Sequence, residues 1–452
     1  MTRAIPRTTT RTTTRITTRS APRRTAARPV AAQSTAARMA VGRAASALGQ
    51  WLRRPLTSLH LVLGVFGLLT LFGLVMVLSA SSVEAYTAGG SSYSVFTKQL
   101  LFCVPGLTMF YVGLRIPPRQ LRALAPAVLM LCMVALVAVL AVGVTRNGSR
   151  AWFAVGPFTV QPSEAAKVAL TLWGAHVLVV RRAVMHGWKY ALSPVVPVTV
   201  VLFTLLVLEP DLGMTVTLGI VLVALLYYAG APLRLMAALC GGAAAGALLL
   251  ATTASYRMSR IVAFLSPGAD TDAAGFQSRQ ALYSLAGGGL FGQGLGQGSA
   301  KWDYLPNAHN DFIFAIIGEE LGFVGALAVL ALFATLAYAG LRIAARNSDP
   351  WLKLVVATST TWLVAQAAIN IAYVVGLLPV TGLTLPLISS GGTSLVVTMF
   401  VFGMLANAAR HEPEAIAALR HHGQGRFART LRLPPPEPYR PVARPAPARG
   451  VR

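Results

Sequence analysis

Charged residues are scarce in this chain of 452 residues: they make up 12% of it, whereas 55% of its residues are hydrophobic. A soluble domain of this length needs more charge to cover its surface, so the composition excludes a soluble globular protein. Apolar runs of about 20 residues, the length that crosses a bilayer as a helix, recur along the chain. They lie near residues 60–83, 95–114, 123–144, 164–181, 191–208, 212–229, 232–254, 312–340, 352–376 and 390–409. We therefore predict an all-α polytopic membrane protein with about ten transmembrane helices.

Acidic residues are also few, 14 against 39 basic residues, which leaves a formal net charge of +25. The basic excess is not evenly spread, because twelve arginines precede residue 60 and nine more occur from Arg410 onward. Most of the remainder falls in alternate loops. Cytoplasmic loops of membrane proteins carry an excess of Lys and Arg, so we predict that both termini are cytoplasmic. The charge then reflects topology and contact with anionic membrane lipid, and nucleic-acid binding is not expected.

Cysteine is nearly absent. Cys103, Cys132 and Cys240 all lie within apolar runs, at spacings that match no metal-binding or disulfide pattern. We expect them to be small core residues.

The two ends of the chain differ from its middle. Residues 1–56 have few large apolar side chains and are rich in Thr, Arg and Ala, and residues 411–452 are rich in Pro and Arg. Neither segment can bury a core, so we predict disordered cytoplasmic tails on either side of a membrane domain at 57–410. Between the seventh and eighth helices, residues 255–310 form the one long extracytoplasmic loop, and its polar and aromatic content favours a functional role.

The end of that loop holds the strongest candidate for catalysis. The polar and aromatic run from Lys301 to Asp311 leads directly into an apolar stretch. An ionisable group at the edge of the hydrocarbon is costly and usually functional, and aromatics with Asn and His suit a sugar better than an ion. We predict that Asp311 is catalytic. The alternative is that Asn310 or Asp311 merely caps the eighth helix.

Polar residues also occur inside several apolar runs. Glu164 suits the first turn of the fourth helix, but Lys167 lies three residues on, on the same face, where the surroundings should be apolar. We predict that the two line a polar cavity. Glu319 and Glu320 are expected in a protein-lined or wet cavity, not against lipid.

Other motifs leave alternatives open. The carboxylates of Glu209 and Asp211 either serve function or cap a tight turn between helices. The glycine-rich run 292–298 resembles a phosphate-binding loop only weakly, since no strand precedes it, and a flexible turn is the better interpretation. Residues 376–394 contain too much Pro and Gly to be helical throughout and are predicted to form a re-entrant or close-packed loop.

Taken together, these motifs resemble the SEDS family (shape, elongation, division and sporulation), the membrane glycosyltransferases that polymerise bacterial peptidoglycan. The resemblance covers about residues 57–410. Within the family, the sequence is similar to the actinobacterial form of the division branch. It rests on residues 73–81, 161–164, 209–213, 305–322 and 382–394, and for the branch on 76–81 and 406–414. Asn307 and Asn310 stand where the family often has Glu and Thr, but Asp311 is retained.

The resemblance implies transfer of a growing glycan from undecaprenyl pyrophosphate to the 4-hydroxyl of the N-acetylglucosamine on lipid II, with inversion at the anomeric carbon. Asp311 would accept the hydroxyl proton. Positive charge for the pyrophosphate would come from Lys167, Arg150, Arg260 or Arg279, with Glu164 positioning Lys167. The candidate substrate-binding residues are Glu164, Lys167, Arg150, Arg260, Arg279, Trp302, Tyr304, His309, Gln366, Asn370, Ser390 and Thr393.

The resemblance allows for a divalent cation, Mg²⁺ or Mn²⁺, without assigning its ligands, and implies no organic cofactor. It implies a class B penicillin-binding protein of the FtsI type as partner, together with other divisome proteins, at the division septum. Three other functions stay open: a lipid II flippase, a transporter built from inverted repeats, and a noncatalytic divisome scaffold that activates a transpeptidase.

Overall fold

A computed structural model describes residues 46, 49–52, 54–87, 90–146, 148–156, 158–182, 189, 193–252, 264, 273–299, 308–423 and 426–439. Residues 1–53 and 54–452 form separate compact units. Of the first unit, residues 46 and 49–52 are described, and they are helical. The second unit contains every element named below.

The second unit is helical with one small sheet. Its helices are α1 (Thr57–Thr87), α2 (Ser94–Arg115), α3 (Pro118–Val142), α4 (Pro162–Val180), α5 (Val195–Leu208), α6 (Leu212–Ala229), α7 (Leu233–Thr252), α8 (Ala273–Gly288), α9 (Ile313–Arg346), α10 (Pro350–Val374), α11 (Gly392–Arg410), α12 (Pro413–His422) and α13 (Arg426–Thr430). Strands β1 (Val144–Arg146), β2 (Ser149–Val155) and β3 (Phe158–Val160) pair antiparallel in chain order between α3 and α4.

Each predicted apolar run coincides with a helix. Within the described part of the chain, eight helices are long and apolar enough to cross a membrane, namely α1, α2, α3, α4, α6, α9, α10 and α11. The other two runs correspond to the shorter apolar helices α5 and, over Leu233–Gly246, α7. The prediction of an all-α polytopic membrane protein is confirmed.

The helices divide into an inner and an outer set. In α4, α10 and α11, 67% of the most apolar 18-residue window is buried, against 22–33% in α1, α2, α3 and α9. The outer helices thus present apolar side chains to their surroundings, as lipid requires, while α4, α10 and α11 form the interior. Polar residues on α4 and α10 are therefore enclosed by protein.

Helices α2 and α11 pack with their backbones unusually close. A Cβ added at Gly403 would lie 2.2 Å from the carbonyl oxygen of Phe110, and one added at Gly113 would lie 2.6 Å from that of Phe400. Phe66 of α1 stacks on Phe110, with ring centroids 4.3 Å apart. Small residues that permit such close approach are typical of helix packing in membranes.

The segment after α11 departs from the expectation of a disordered tail. Residues 413–422 and 426–430 are helical, and the chain continues along the ends of α2 and α11. Arg410 donates to the carbonyl of Pro434 at 2.7 Å and Tyr111 to that of Leu431 at 3.0 Å, while Leu433 is buried. Side-chain donors satisfy these two backbone carbonyls. Ala415 and Ile416 are buried as well, so a few apolar contacts hold a segment whose composition indicated no core. The disorder expected of residues 1–45 and 440–452 lies outside the described residues.

Candidate functional site

A buried ion pair lies at the start of α4. The Lys167 Nζ atom is 3.0 Å from Glu164 Oε2, and the two side chains are only 1% and 3% exposed. Lys167 also lies 4.8 Å from the ring centroid of Trp362 and 3.4 Å from Gln366 Oε1. A carboxylate, an amide oxygen and an aromatic face therefore compensate for the lost hydration of the ammonium. The structure brings Glu164 and Lys167 together, as their spacing predicts.

Asp211 belongs to the same cluster. It caps α6 by accepting from the amide of Met214 at 3.0 Å, and its second oxygen accepts from Gln161 Nε2 at 2.8 Å. The capping interpretation therefore holds for Asp211, which also joins the polar cluster. Gln161 belongs to the motif 161–164, but its contact with Asp211 was not predicted, because an amide just before a helix is also common at the surface.

Glu209, at the end of α5, is the second acid of this turn. Its side chain is fully buried, and neither carboxylate oxygen has a hydrogen-bond partner among the described residues. Burial, followed by the nearby charge of Asp211, raises the pKa of Glu209 to about 8. A neutral carboxylic acid is much cheaper to bury than a carboxylate. Glu209 is therefore mainly protonated at neutral pH.

Two amides on one face of α10 hold the broken segment that precedes α11. Gln366 Nε2 donates to the carbonyl of Thr384 at 2.9 Å, and its oxygen accepts from Trp362 Nε1 at 3.0 Å. One helical turn along, Asn370 Nδ2 lies 2.6 Å from the carbonyl of Leu383. The segment is non-helical from residue 375 to 391 and packs closely on α10, as predicted.

Thr393 links this segment to the β-hairpin. Its hydroxyl accepts from the amide of Gln161 at 3.1 Å and lies 3.2 Å from the carbonyl of Thr159. Ser390 takes part through its backbone, whose amide donates to the carbonyl of His309 at 3.0 Å. Thr393 and Ser390 thus connect the Lys167 cluster with the segment that carries Asp311.

Asp311 stands immediately before the N-terminus of α9. The cap position is Phe312, so neither Asn310 nor Asp311 occupies it. The Asp311 carbonyl accepts from Asn370 Nδ2 at 2.9 Å and from the Tyr373 hydroxyl at 2.8 Å. Its carboxylate lies against Gly382, since a Cβ added there would be 3.6 Å from Asp311 Oδ2. The two residues after Gly382 are Leu383 and Thr384, whose carbonyls accept from Asn370 and Gln366. The Asp311 carboxylate therefore lies beside the segment that these two amides hold.

His309 and Glu84 form a contact that sequence reasoning missed. His309 Nδ1 lies 2.9 Å from Glu84 Oε2, near the end of α1. The two residues are 225 positions apart. Glu84 lies at the end of an apolar helix, where a carboxylate gives no periodic signal.

The other candidates are more scattered. Arg150 donates to the carbonyls of Gly143 and Ala141 at 2.9 and 3.0 Å, so it caps the end of α3, which accounts for its charge without a ligand. Arg279 lies on α8, which packs against α9. Arg260, Trp302 and Tyr304 lie outside the described residues.

The glycine-rich run docks on a break in α9. Gly322 has φ 67°, and around it the amides of Gln293 and Gly294 donate to the carbonyls of Glu319 and Glu320, both at 3.0 Å. A Cβ added at Gly292 would lie 2.2 Å from the Glu320 carbonyl oxygen. The glycines therefore permit close backbone packing, which supports the turn interpretation over a phosphate-binding loop.

The two acids at this break are satisfied by protein. The amide and hydroxyl of Ser299 donate to Glu319 Oε1 at 2.7 and 2.9 Å. The Ser79 hydroxyl lies 2.7 and 2.6 Å from the two carboxylate oxygens of Glu320. Both acids are buried, at 1% and 0% exposure, so the protein-lined interpretation fits.

The described residues do not fit a resident divalent cation. In that part of the chain, no group of three or more His, Cys, Asp or Glu side chains is placed to hold a metal ion. At the buried cluster, the ammonium of Lys167 already supplies the positive charge beside Glu164. No chemical step is therefore assigned to a metal.

The fold and this site together define a polytopic membrane protein with a polar cluster enclosed by α4, α10 and the segment before α11. The chain belongs to the FtsW/RodA/SpoVE family of cell cycle proteins, which matches residues 59–414. That family is the one whose motifs the sequence resembles.

Individual relatives support the assignment. The chain is 52% identical over 395 residues to the probable peptidoglycan glycosyltransferase FtsW of Mycobacterium tuberculosis, covering 87% of this chain and 75% of that protein. It is 38% identical to the stage V sporulation protein E of Bacillus subtilis, covering 78% and 98%.

Solved structures show the same fold. One chain of a peptidoglycan synthase complex that coordinates polymerization and crosslinking matches with a TM-score of 0.63 at 27% identity, covering 78% of this chain and 97% of its own. The rod shape determining protein RodA of Thermus thermophilus matches with a TM-score of 0.59 at 27% identity, covering 78% and 96%.

Proposed function

We propose that this protein is a peptidoglycan glycosyltransferase that polymerises lipid II into glycan strands during septal cell-wall synthesis, with Asp311 as general base. The observation that carries the proposal is that side chains of α10 hold the segment beside Asp311 and also contact Lys167. The Asp311 carboxylate lies against Gly382. The next two carbonyls are bound by Asn370 and Gln366, and Gln366 also contacts Lys167.

In this reaction Asp311 accepts the proton of the 4-hydroxyl on the N-acetylglucosamine of lipid II. The oxygen then bonds to the anomeric carbon of the growing glycan, and the bond to the undecaprenyl pyrophosphate oxygen breaks with inversion. The leaving pyrophosphate retains the electron pair. A correctly placed general base contributes about 10²–10⁴-fold in rate.

The burial of Lys167 limits its role. With 1% of its side chain exposed and Glu164 at 3.0 Å, Lys167 is not open to a pyrophosphate as the structure stands. We propose that it contributes positive potential from within and fixes Gln366. Direct contact with the pyrophosphate falls to Arg279 and Arg260, two of the four cations that the resemblance offers. Sugar contacts fall to Trp302, Tyr304 and His309, whose side chains suit a sugar.

The setting follows from the same proposal. The two termini lie in the cytoplasm, as the distribution of basic residues favours, and the protein works at the septum of the cell membrane. Its partner is a class B penicillin-binding protein of the FtsI type within the divisome. The similarity to a chain of a peptidoglycan synthase complex that couples polymerization and crosslinking supports this partner.

The flippase and scaffold alternatives are not favoured. The relatives at 52% identity are named as glycosyltransferases. A noncatalytic scaffold also gives no reason for a carboxylate to be packed against the loop that α10 holds.

The test is polymerisation of purified lipid II by the chain together with its transpeptidase partner in liposomes, with moenomycin added to block contaminating glycosyltransferases. Wild type should form glycan polymer, and Asp311→Ala should form none while keeping the wild-type melting temperature. Equal polymer from both proteins would remove Asp311 from the chemistry. Transbilayer movement of lipid II without polymer would favour the flippase.

A further inference from the structure

The short segment that carries Asp311 is held by contacts from three different parts of the fold. The carbonyl of His309 accepts from the amide of Ser390, in the segment before α11. The carbonyl of Asp311 accepts from Asn370 and Tyr373 on α10. The third contact is a side-chain one, from His309 Nδ1 to Glu84 Oε2 on α1.

The third contact has the geometry of a charge-assisted hydrogen bond. Its length is 2.9 Å, within the range for a ring N–H donating to a carboxylate. The side chain of His309 is 13% exposed and that of Glu84 is 44% exposed, so the pair stands at the margin between protein and surroundings. A carboxylate on Nδ1 fixes the ring orientation and favours a proton on that nitrogen, which leaves Nε2 to face another group.

The pair also joins elements that are otherwise distant in sequence. α1 also contacts α9 at Ser79, five residues before Glu84, where the Ser79 hydroxyl binds the carboxylate of Glu320. At its end, Glu84 reaches the segment that leads into α9. The backbone contacts at the carbonyls of His309 and Asp311 fix the path of the chain there, but they do not fix the ring of His309.

We propose that Glu84 is a positioning residue for glycosyl transfer, which orients His309 and steadies the segment that carries Asp311. With its proton on Nδ1, His309 then accepts a hydrogen bond at Nε2 from a sugar hydroxyl of the lipid-linked substrate. The proposal rests on the glycosyltransferase function proposed above. Displacement of a reacting group by about 1 Å can cost about 100-fold in rate, so a contact that steadies this segment has a large effect on turnover.

The first test is the kinetics of lipid II polymerisation by Glu84→Ala, Glu84→Gln, His309→Ala and the double variant Glu84→Ala/His309→Ala. Glu84→Ala should lower kcat about tenfold with KM changed less than about twofold. Glu84→Gln, which keeps a hydrogen-bond acceptor, should recover most of the loss. Because the two side chains act as a unit, the double variant should match His309→Ala alone. Glu437→Ala, which removes another exposed ion-paired carboxylate, is the control.

The second test does not depend on activity. Amide hydrogen exchange of residues 308–312 should be faster in Glu84→Ala than in wild type or Glu437→Ala, at equal melting temperatures. Polymer formation by wild type, with unchanged kcat and unchanged exchange in Glu84→Ala, would overturn the role of Glu84 alone. Multiplicative losses in the double variant would do the same. No polymer from wild type would overturn the proposed function, and faster exchange would then leave Glu84 as a structural clamp without a role in transfer.

Discussion

The ammonium of Lys167 and the carboxylate of Glu164 lie 3.0 Å apart on one turn of α4 and are almost completely enclosed. Such a pair recovers its desolvation cost only through good geometry and further polar contacts, which Gln366 and Trp362 supply here. Removal of either partner should therefore affect both the stability of the fold and the candidate site.

Lys167→Met alone should destabilise the protein by about 3–5 kcal/mol, because it leaves the Glu164 carboxylate buried without its partner. The double variant Lys167→Met/Glu164→Gln should be closer to wild type than Lys167→Met. Thermal unfolding in detergent micelles measures these two variants and Glu164→Gln alone. Simple addition of the two single-variant effects would show that the residues are not energetically coupled.

Ser79→Ala should lower the free energy of unfolding by about 1–3 kcal/mol, since it removes the donor at 2.6–2.7 Å from the buried carboxylate of Glu320. Ser82→Ala is a matched control, because among the described residues the Ser82 hydroxyl bonds only within its own helix, to the carbonyl of Ser79. The two melting temperatures should differ clearly. Equal values would mean that Glu320 does not depend on Ser79.

Gly292→Ala should destabilise the contact between the glycine-rich turn and the break in α9. Gly292 has φ +79°, and the new Cβ would lie 2.2 Å from the backbone oxygen of Glu320. Amide exchange at Gln293 and Gly294 should become faster. Gly241→Ala, on α7 with nothing within 4 Å, should instead leave stability equal or higher. Unchanged exchange in Gly292→Ala would contradict the close-packing account.

The free energy of unfolding should depend on pH through the protonation of Glu209. Its pKa rises to about 8 in the folded protein from 4.5, so the folded state holds a proton that the unfolded state has lost between those values. Stability therefore falls as pH rises through this window, and the contribution is fully favourable only below it. Unfolding measured from pH 5 to 8.5 should show a smaller decline in Glu209→Gln than in wild type or Glu437→Gln. Parallel curves for all three would contradict the burial of an acid at this position.

Helical periodicity predicted those parts of the site that lie on one helix. Glu164 and Lys167 are three residues apart and Gln366 and Asn370 four apart, and the structure places each pair on a single face, turned inward. Polar residues within long apolar runs are costly to expose to lipid, so the composition also predicted that they are buried in the protein.

The parts that sequence reasoning missed depend on contacts between distant segments. Glu84 reaches His309 across 225 positions, and Gln161 reaches Asp211 across 50. The small sheet was missed because β1 and β3 are three residues each, too short to show a period. The ordered chain after α11 was missed because its buried apolar side chains, such as Ile416 and Leu433, are few and widely spaced. Two of its contacts are made by backbone carbonyls, which Tyr111 and Arg410 bind.

In the proposed reaction, the Asp311 carboxylate accepts the proton of the attacking hydroxyl. The most direct measurement is the initial rate of lipid II polymerisation by Asp311→Asn, which keeps the size of the side chain and removes its basicity. Asp349→Asn serves as the control, since asparagine also caps a helix and Asp349 caps α10. The account predicts a rate lower by about 10²–10⁴-fold for Asp311→Asn, with melting and lipid II binding as in wild type and a normal rate for the control. A rate for Asp311→Asn within about threefold of wild type, far short of the loss that removal of a general base produces, would contradict it.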